Sequence, residues 1–580
     1  MGANANQNDV RAAGSAAESA AQAAQEPRRR SGIRIMGRLI GLVKPLAGRM
    51  ALAIGFGVIG HLCAIAVPVL GTFALLAALG TYQASLVALA VALIACALGR
   101  GVFHYAEQYN NHLIAFKILA LVRDRVFTAL RRLCPAKLEG RRRGDLIALI
   151  TTDIELLEVF YAHTISPIAI AVTVSLVMTV AIGLFNPLLG LLALAAYVIV
   201  GAVTPLLTSR LGRQVGMRYR VKFAGLSSFY LDSLRGLHEI LQYGQGEARM
   251  GQMGRLTDEM EVDQKRLKAA EGLVAGIANV EVLVLDFAML AASLALPTSA
   301  PTALAGAALP TVMMMSSFGP VLALSALAST LSSTLAAGER VLSLLEEEPV
   351  VTDVTDGVRP EAFTGLEARN LGFSYGPNEE PVLSGVNAKF PAGRIVGVQG
   401  RSGSGKSTLL KLLMRFWNAP EGSVRVCGES IGRVDTSWLR GEESYMTQET
   451  DLFHDTIANN IRVGKLDATD EEVVAAAKKA ALHDFVMTLP KGYETEVGEL
   501  GGTLSAGERQ RLGLARAFVH GGDVLLLDEP TSNLDSLNEG TILKALKEER
   551  GSRAVVLVSH RSSTMGIADE VYSVEDGRVS

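Results

Sequence analysis

The chain has 580 residues, of which 49% are hydrophobic, and its mean hydropathy is +0.30. That length is too great for one compact core, and the apolar balance points to lipid. With 55 Lys and Arg against 58 Asp and Glu, the formal net charge of -3 gives no basis for a nucleic-acid partner. Cys63, Cys96, Cys134 and Cys427 lack any CxxC or metal-ligand spacing and read as structural thiols.

Residues 1–35 are rich in Ala, Gln, Asn and Gly and end near Arg28, Arg29 and Arg30, with no apolar core of signal-peptide length. They are expected to form a disordered cytosolic tail. Residues 36–335 are expected to form a membrane domain. Apolar stretches near 50–73, 85–106, 164–184, 188–208, 272–296 and 303–332 each approach the ~20 residues that a helix needs to cross a bilayer. The links Gly80 to Ser85, Leu184 to Pro187 and Pro297 to Pro301 contain no Lys or Arg. The longer connections carry Lys117, Arg123, Arg125, Arg131, Arg132 and Arg141 to Arg143 in one, and Arg210, Arg213, Arg218, Arg220 and Arg235 in the other. The positive-inside rule places these in the cytosol, and their helical periodicity predicts that the spans continue beyond the membrane, turn and return. The expected location is the inner or plasma membrane, with N-terminus and C-terminal domain cytosolic.

Within the spans, Arg100, His104 and Glu107 recur on one helix face, and Glu281 and Asp286 interrupt the fifth span. Ionisable groups at that depth face a partner helix or a wet cavity, so they mark either a substrate pathway or internal ion pairs. His61 in the first span reads as a hydrogen-bonded core residue.

Residues 345–580 read as a soluble α/β domain. The strand Arg394 to Gln399 runs into Gly400, Arg401, Ser402, Gly403, Ser404, Gly405, Lys406, Ser407 and Thr408, followed by an apolar-periodic helix. This is a phosphate-binding loop: glycines let backbone N–H groups turn towards the phosphates, and the helix N-terminus adds a favourable field. Lys406 is expected on the β- and γ-phosphates and Ser407 on Mg²⁺. The run Val524 to Glu529 predicts a buried strand ending in Asp528, which can orient Mg²⁺, and Glu529, which can act as general base. A second strand, Ala554 to Ser559, ends at His560, placed to hydrogen-bond the γ-phosphate.

Tyr375, Gly400 to Thr408, Gln448, Leu504-Ser505-Ala506-Gly507-Glu508, Asp528-Glu529, Ser532 to Asp535 and His560 resemble, in order and spacing, the motif series of ABC-transporter ATPase domains. The membrane half is similar to the six-helix half of a type I exporter, the type IV fold. The resemblance implies that Tyr375 stacks on adenine and that Gln448 couples Mg²⁺ and the attacking water to the membrane helices. It implies a head-to-tail pair of ATPase domains, in which Ser505 and Gly507 contact ATP held by a second half-transporter. The segments around Pro135 to Arg141 and Leu231 to Leu237 resemble coupling helices, and Thr495 to Glu499 resembles the exporters' cross-linking loop. Ala506 stands where the family most often has glycine, which favours a heterodimer over a homodimer. Phe103 to Glu107, Gly144-Asp145-Leu146, Asp153 and Tyr161 to Pro167 resemble a CydC-type thiol exporter subunit.

The expected function is ATP-driven export of a small molecule such as a thiol, peptide, lipid or drug. Import on the same fold and a nucleotide-gated regulator or channel are the competing readings, and an intact Glu529 weighs against the last.

Overall fold

The computed structural model describes residues 30–580 except 140, 142, 377–378, 499–503, 552 and 580. Residues 1–29 of the expected tail, Arg142 of the first basic connection and Glu499 of the cross-linking loop lie outside them. The chain divides into two compact units: residues 1–130 with 141–347, and 131–140 with 348–580.

Among the described residues of the first unit, six helices are long and apolar enough to cross a membrane: Lys44–Ala78, Leu86–Leu133, Gly144–Gly183, Pro187–Thr208, Gly246–Ala295 and Ala303–Leu324. The second and fifth have 48 and 50 residues. At 1.5 Å per residue both exceed 70 Å in length, well beyond a ~30 Å hydrocarbon core, so each continues past the membrane as the helical periodicity predicts. The fourth continues beyond Thr208 as the helix Thr204–Arg235.

Two expected boundaries change. The third span was placed from residue 164, but a continuous helical path starts upstream and includes the π turns Leu149–Asp153 and Tyr161–Ile165. Pro167 has no N–H to offer, and it directly follows the π turn Tyr161–Ile165, where the i→i−4 ladder is already interrupted, so the path continues past it into Ser166–Gly183. The sixth span, expected unbroken over 303–332, is interrupted at Phe318 between Ala303–Ser317 and Gly319–Leu345. Pro320 cannot supply the N–H that would continue the ladder, so a new helix starts there.

The third and fourth helices meet through small residues. A Cβ on Gly190 would lie 2.8 Å from Gly183 Cα, so only glycine permits this approach. Ile170, Val174, Met178, Ile182, Leu189 and Ala193 build the adjoining core. Polar groups at this depth are mostly paired: Thr204 Oγ1 donates to Glu281 Oε2 at 2.7 Å, and Tyr197 Oη and Ser317 Oγ share a hydrogen bond at 2.5 Å. Asp286 is buried and its Oδ1 has no partner among the described residues. His104 Nδ1 lies 3.4 Å from Glu107 Oε2, whereas Arg100 is exposed and makes no ion pair among the described residues. The internal pairing of Arg100 with a carboxylate, one of its two expected roles, is therefore not found among them. Towards the C-terminal end of the unit, Arg340 Nε donates to buried Asp153 Oδ2 at 2.6 Å, and Arg30 Nη2 to Glu346 Oε2 at 2.6 Å.

Among its described residues the second unit contains ten strands in two sheets. A four-stranded antiparallel sheet has the order β2 (Leu383–Pro391), β1 (Gly365–Phe373), β4 (Glu421–Val426), β5 (Glu429–Ser430). A six-stranded sheet has the order β10 (Arg578–Val579), β9 (Glu570–Glu575), β3 (Ile395–Gly400), β8 (Ala554–Val558), β7 (Val524–Asp528), β6 (Glu443–Met446). Every pairing from β9 through β6 is parallel. Strands β7 and β8 are buried along their whole length, which explains their unbroken Val/Leu composition. Parallel pairing also brings the carboxyl ends of β3, β8, β7 and β6 to one edge, where a ligand crevice forms in open α/β sheets.

Residues 131–140, the tip of the first long connection, group with this second unit. The tip is a set of hydrogen-bonded turns, Glu139 N–H donating to Pro135 O at 3.0 Å, and not the helix expected there. At the other tip, residues 231–235 of the expected segment Leu231 to Leu237 finish the helix Thr204–Arg235, and a separate short helix follows at Leu237–Gln242.

Candidate nucleotide site

The sheet edge assembles the motif residues from distant parts of the chain. Strand β3 ends at Gly400, the loop turns through Gly403 and Gly405 at φ of +81° and +100°, and the helix Lys406–Leu413 begins. A Cβ on Gly405 would lie 2.9 Å from Val382 O, so glycine is required by both conformation and space. Lys406 is buried, and its ammonium donates to Gly400 O at 2.9 Å and Arg401 O at 2.7 Å, inside the loop. Ser404 Oγ is buried without a hydrogen-bond partner among the described residues, an unused polar atom in a cradle that suits phosphate oxygens. Ser402 is exposed on the same loop, and Thr408 lies in the first turn of the helix.

Asp528, at the end of β7, is buried and accepts a hydrogen bond from the Ser407 hydroxyl. Burial pushes its carboxyl above the ordinary range and neighbouring Glu529 adds to this, while Ser407 and Lys406 oppose it. A carboxylate and a hydroxyl side by side, both oxygen donors, fit a hard divalent ion such as Mg²⁺. Such an ion would also relieve the cost of ionising Asp528.

Glu529 has a left-handed backbone, φ +52°, which is unfavourable for any residue with a side chain. Three bonds hold its backbone: its N–H donates to Val558 O at 2.9 Å, and its carbonyl accepts from Gln510 Nε2 at 2.6 Å and from Ser532 N–H at 3.3 Å. Its carboxylate Oε1 lies 3.1 Å from Nδ1 of His560, which follows β8. The carboxylate expected to act as general base and the strand-end histidine are thus within hydrogen-bonding reach. Gln448 is exposed, two residues beyond β6, whose Met446 pairs with Leu527 of β7.

Tyr375 lies just after β1. Its hydroxyl shares a 3.0 Å hydrogen bond with Thr408 Oγ1, and its ring packs edge-on against Trp417 at 5.2 Å. Lys411, one turn further along the loop helix, forms an ion pair at 2.5 Å with Glu139, whose other oxygen accepts from Trp417 Nε1 at 3.4 Å. Sequence reasoning missed Glu139, Lys411, Trp417 and Gln510. For Gln510 a signal existed, since it is a polar residue on the buried face of an amphipathic helix.

The Leu504 to Glu508 segment opens the helix Ala506–His520 with a capping box. Ser505 Oγ accepts from Glu508 N–H at 3.3 Å and Glu508 Oε2 accepts from Ser505 N–H at 2.7 Å. Glu508 is thereby accounted for by helix initiation, where its charge also suits the dipole. Ser505 and Ala506 are exposed. Gly507 has a reason within the chain, because a Cβ there would lie 2.9 Å from Asn533 O.

Taken together, the sheet edge and the six helices define a membrane protein that carries its own nucleotide-hydrolysing domain. Family models for the ABC transporter transmembrane region match residues 50–316, and for ABC transporter residues 383–532. A "Probable ABC transporter ATP-binding/permease protein" of Haemophilus influenzae is 46% identical over 553 residues, covering 95% of this chain and 100% of that protein. The chain belongs to the ABC transporter family, with membrane and ATPase regions in one polypeptide, and its ABC domain is an ATPase coupled to transport. The H. influenzae "Glutathione/L-cysteine transport system ATP-binding/permease protein CydC" is 28% identical over 83% of this chain and 84% of its own length. An "ATP-dependent lipid A-core flippase" of H. influenzae is 29% identical over 83% of this chain and 82% of that protein. The solved structure of a bacterial Atm1-family ABC exporter with ATP bound superposes with a TM-score of 0.80 at 25% identity, covering 92% of this chain and 94% of that one.

Proposed function

We propose that this chain is one half of a heterodimeric exporter in the inner or plasma membrane, with residues 36–335 as the membrane domain and 345–580 as the cytosolic nucleotide domain. The observation that carries this reading is the division of labour at the sheet edge. Lys406, Ser407, Asp528, Glu529 and His560 converge there, whereas Ser505, the cap of the signature helix, is exposed and in this reading serves a second half-transporter's ATP.

In this reading Lys406 releases the loop carbonyls to hold the β- and γ-phosphates, with Gly400, Ser402, Gly403, Ser404, Gly405 and Thr408 shaping the cradle. Ser407, Asp528 and Gln448 would hold Mg²⁺, which would supply neutralisation of phosphate charge. Glu529 takes the proton of the attacking water, and His560 orients Glu529 and the γ-phosphate. Tyr375 supports the adenine, and Ser505 and Gly507 close the site of the partner half.

For the cargo, the similarity to a glutathione/L-cysteine transport protein and to a lipid A-core flippase supports a thiol or a lipid. The exposure of Arg100 in a spanning helix supports a polar pathway completed by the partner half, because a cation facing hydrocarbon is costly. The test is purification of the native complex and its reconstitution in vesicles. A stoichiometric second half-transporter and cargo-stimulated ATP hydrolysis are expected. A homodimer would overturn the heterodimer, and hydrolysis insensitive to every thiol and lipid offered would overturn the cargo classes.

A further inference from the structure

The helix Ala506–His520 carries one polar side chain whose role the motif series leaves unassigned. Gln510 is 3% exposed, and every hydrogen-bonding atom of its amide is directed at the turn that follows β7. Nε2 donates to Glu529 O at 2.6 Å and to Ser532 Oγ at 3.0 Å, while Oε1 accepts from Asn533 N–H at 3.1 Å. The amide therefore clamps the turn at both ends. Close packing adds to the grip, since Gly507, one turn before Gln510, leaves no room for a Cβ against Asn533 O.

The consequence falls on Glu529. A left-handed residue with a side chain persists only where its surroundings fix it. Here the N–H is held by Val558 O and the carbonyl by Gln510. With both neighbouring peptide planes anchored, the direction of the Cα–Cβ bond is set, and the carboxylate arrives 3.1 Å from His560 Nδ1. Without the Gln510 bond the carbonyl keeps only the longer 3.3 Å bond from Ser532 N–H, and Ser532 Oγ and Asn533 N–H lose Gln510 as well, so the turn is free to relax towards ordinary φ, which would swing the carboxylate away. A displacement of about 1 Å at a reacting group can cost about a hundredfold in rate.

We propose that Gln510 is a positioning residue for Glu529, so that the helix opened by Ser505 supports the general base of this chain's own site. This rests on the reading of Glu529 as general base. It adds a physical link between the exposed signature and that base. The substituent is a neutral amide, so the effect is one of geometry and not of charge.

The test uses the purified complex carrying Q510E or Q510L, each also combined with E529Q. Q510E keeps an acceptor for Asn533 N–H but sets a carboxylate oxygen against the Glu529 carbonyl; if Q510L fails to fold, Q510E alone decides. Single-turnover hydrolysis at saturating ATP is expected to fall by about tenfold or more, with ATP affinity unchanged within about twofold. In the E529Q background neither substitution should slow the residual reaction further, because groups acting through one another are non-additive. A folded Q510E complex hydrolysing at the parent rate overturns the proposal, as does an equal loss with and without Glu529. If E529Q itself hydrolyses at the parent rate, the general-base reading fails and the proposal falls with it. An inactive E529Q beside a fully active Q510E would sink the proposal alone.

Discussion

The two units differ in where their polar groups find partners. In the nucleotide unit, Lys406, Asp528, Glu529, Ser505 and Gln510 are each held by atoms of the same chain. In the membrane unit Asp286 Oδ1 has no partner and Arg100 is exposed without an ion pair, both among the described residues. A group in lipid cannot fall back on water, so an unpaired one there implies a further surface. The phosphate loop, carboxylates and histidine are brought together within one chain, whereas the proposed cargo route needs a second half.

The contrast breaks first at Glu529. E529Q leaves the phosphate cradle and the Ser407–Asp528 pair intact but removes the proton acceptor. ATPase turnover at this chain's site should fall by about 10² to 10⁴, with nucleotide binding retained. Parent-like turnover of the purified variant would show that the carboxylate beside His560 is not the base.

In the membrane unit, Arg100→Gln sharpens the comparison. Since Arg100 has no ion pair among the described residues, folding and assembly should be unaffected, as judged by yield and thermal unfolding. Stimulation of ATPase by cargo should fall several-fold, on the order of 1 kcal/mol of lost contact. Loss of assembly instead would make Arg100 part of the helix packing.

The smallest effect concerns Asp435, which caps the helix Thr436–Glu442 by accepting from Trp438 N–H at 2.9 Å. Hydrogen bonds from Ser437 and Trp438, together with Arg359, hold its carboxyl down at about 2. Its folded value lies below the unfolded one, so its stabilisation is present above about pH 4 and is lost as pH falls towards 2. Asp435→Ala should lower the melting temperature by roughly 2–4 °C at neutral pH, and the difference from the parent should shrink across that window. A difference that does not change with pH would remove the ionised cap from the account of this helix.

What was legible in the sequence follows from how far apart the cooperating residues lie. The phosphate loop could be read because strand, glycines, Lys406 and Ser407 are contiguous and each is required by local geometry. The carboxylates could be read because Asp528 and Glu529, side by side at the end of a buried strand, are costly to place there unless a cation or a reaction uses them. The Gln510 clamp was not legible, since it spans 19 residues to Glu529 and depends on tertiary packing. Nor was the bond from Trp417 to Glu139, 278 residues apart. In the membrane unit composition located the spans, but it did not mark the break at Phe318 or the helical path through Tyr161–Ile165. Hydropathy averages over a window, whereas Pro320 and the π turns act at single residues.

The central claim is that this chain supplies the phosphate loop, carboxylates and histidine of one site and lends Ser505 to another. Its most direct test is photolabelling with an azido-ATP in a complex whose two halves carry different tags, comparing the parent with Ser505→Arg. The capping hydroxyl is lost and a long cation enters a helix N-terminus suited to phosphate, so vanadate-trapped label on the partner half should disappear. Label on this chain's Lys406 loop should persist. Loss of trapping on this chain with the partner unaffected would place the signature in its own site and contradict the account.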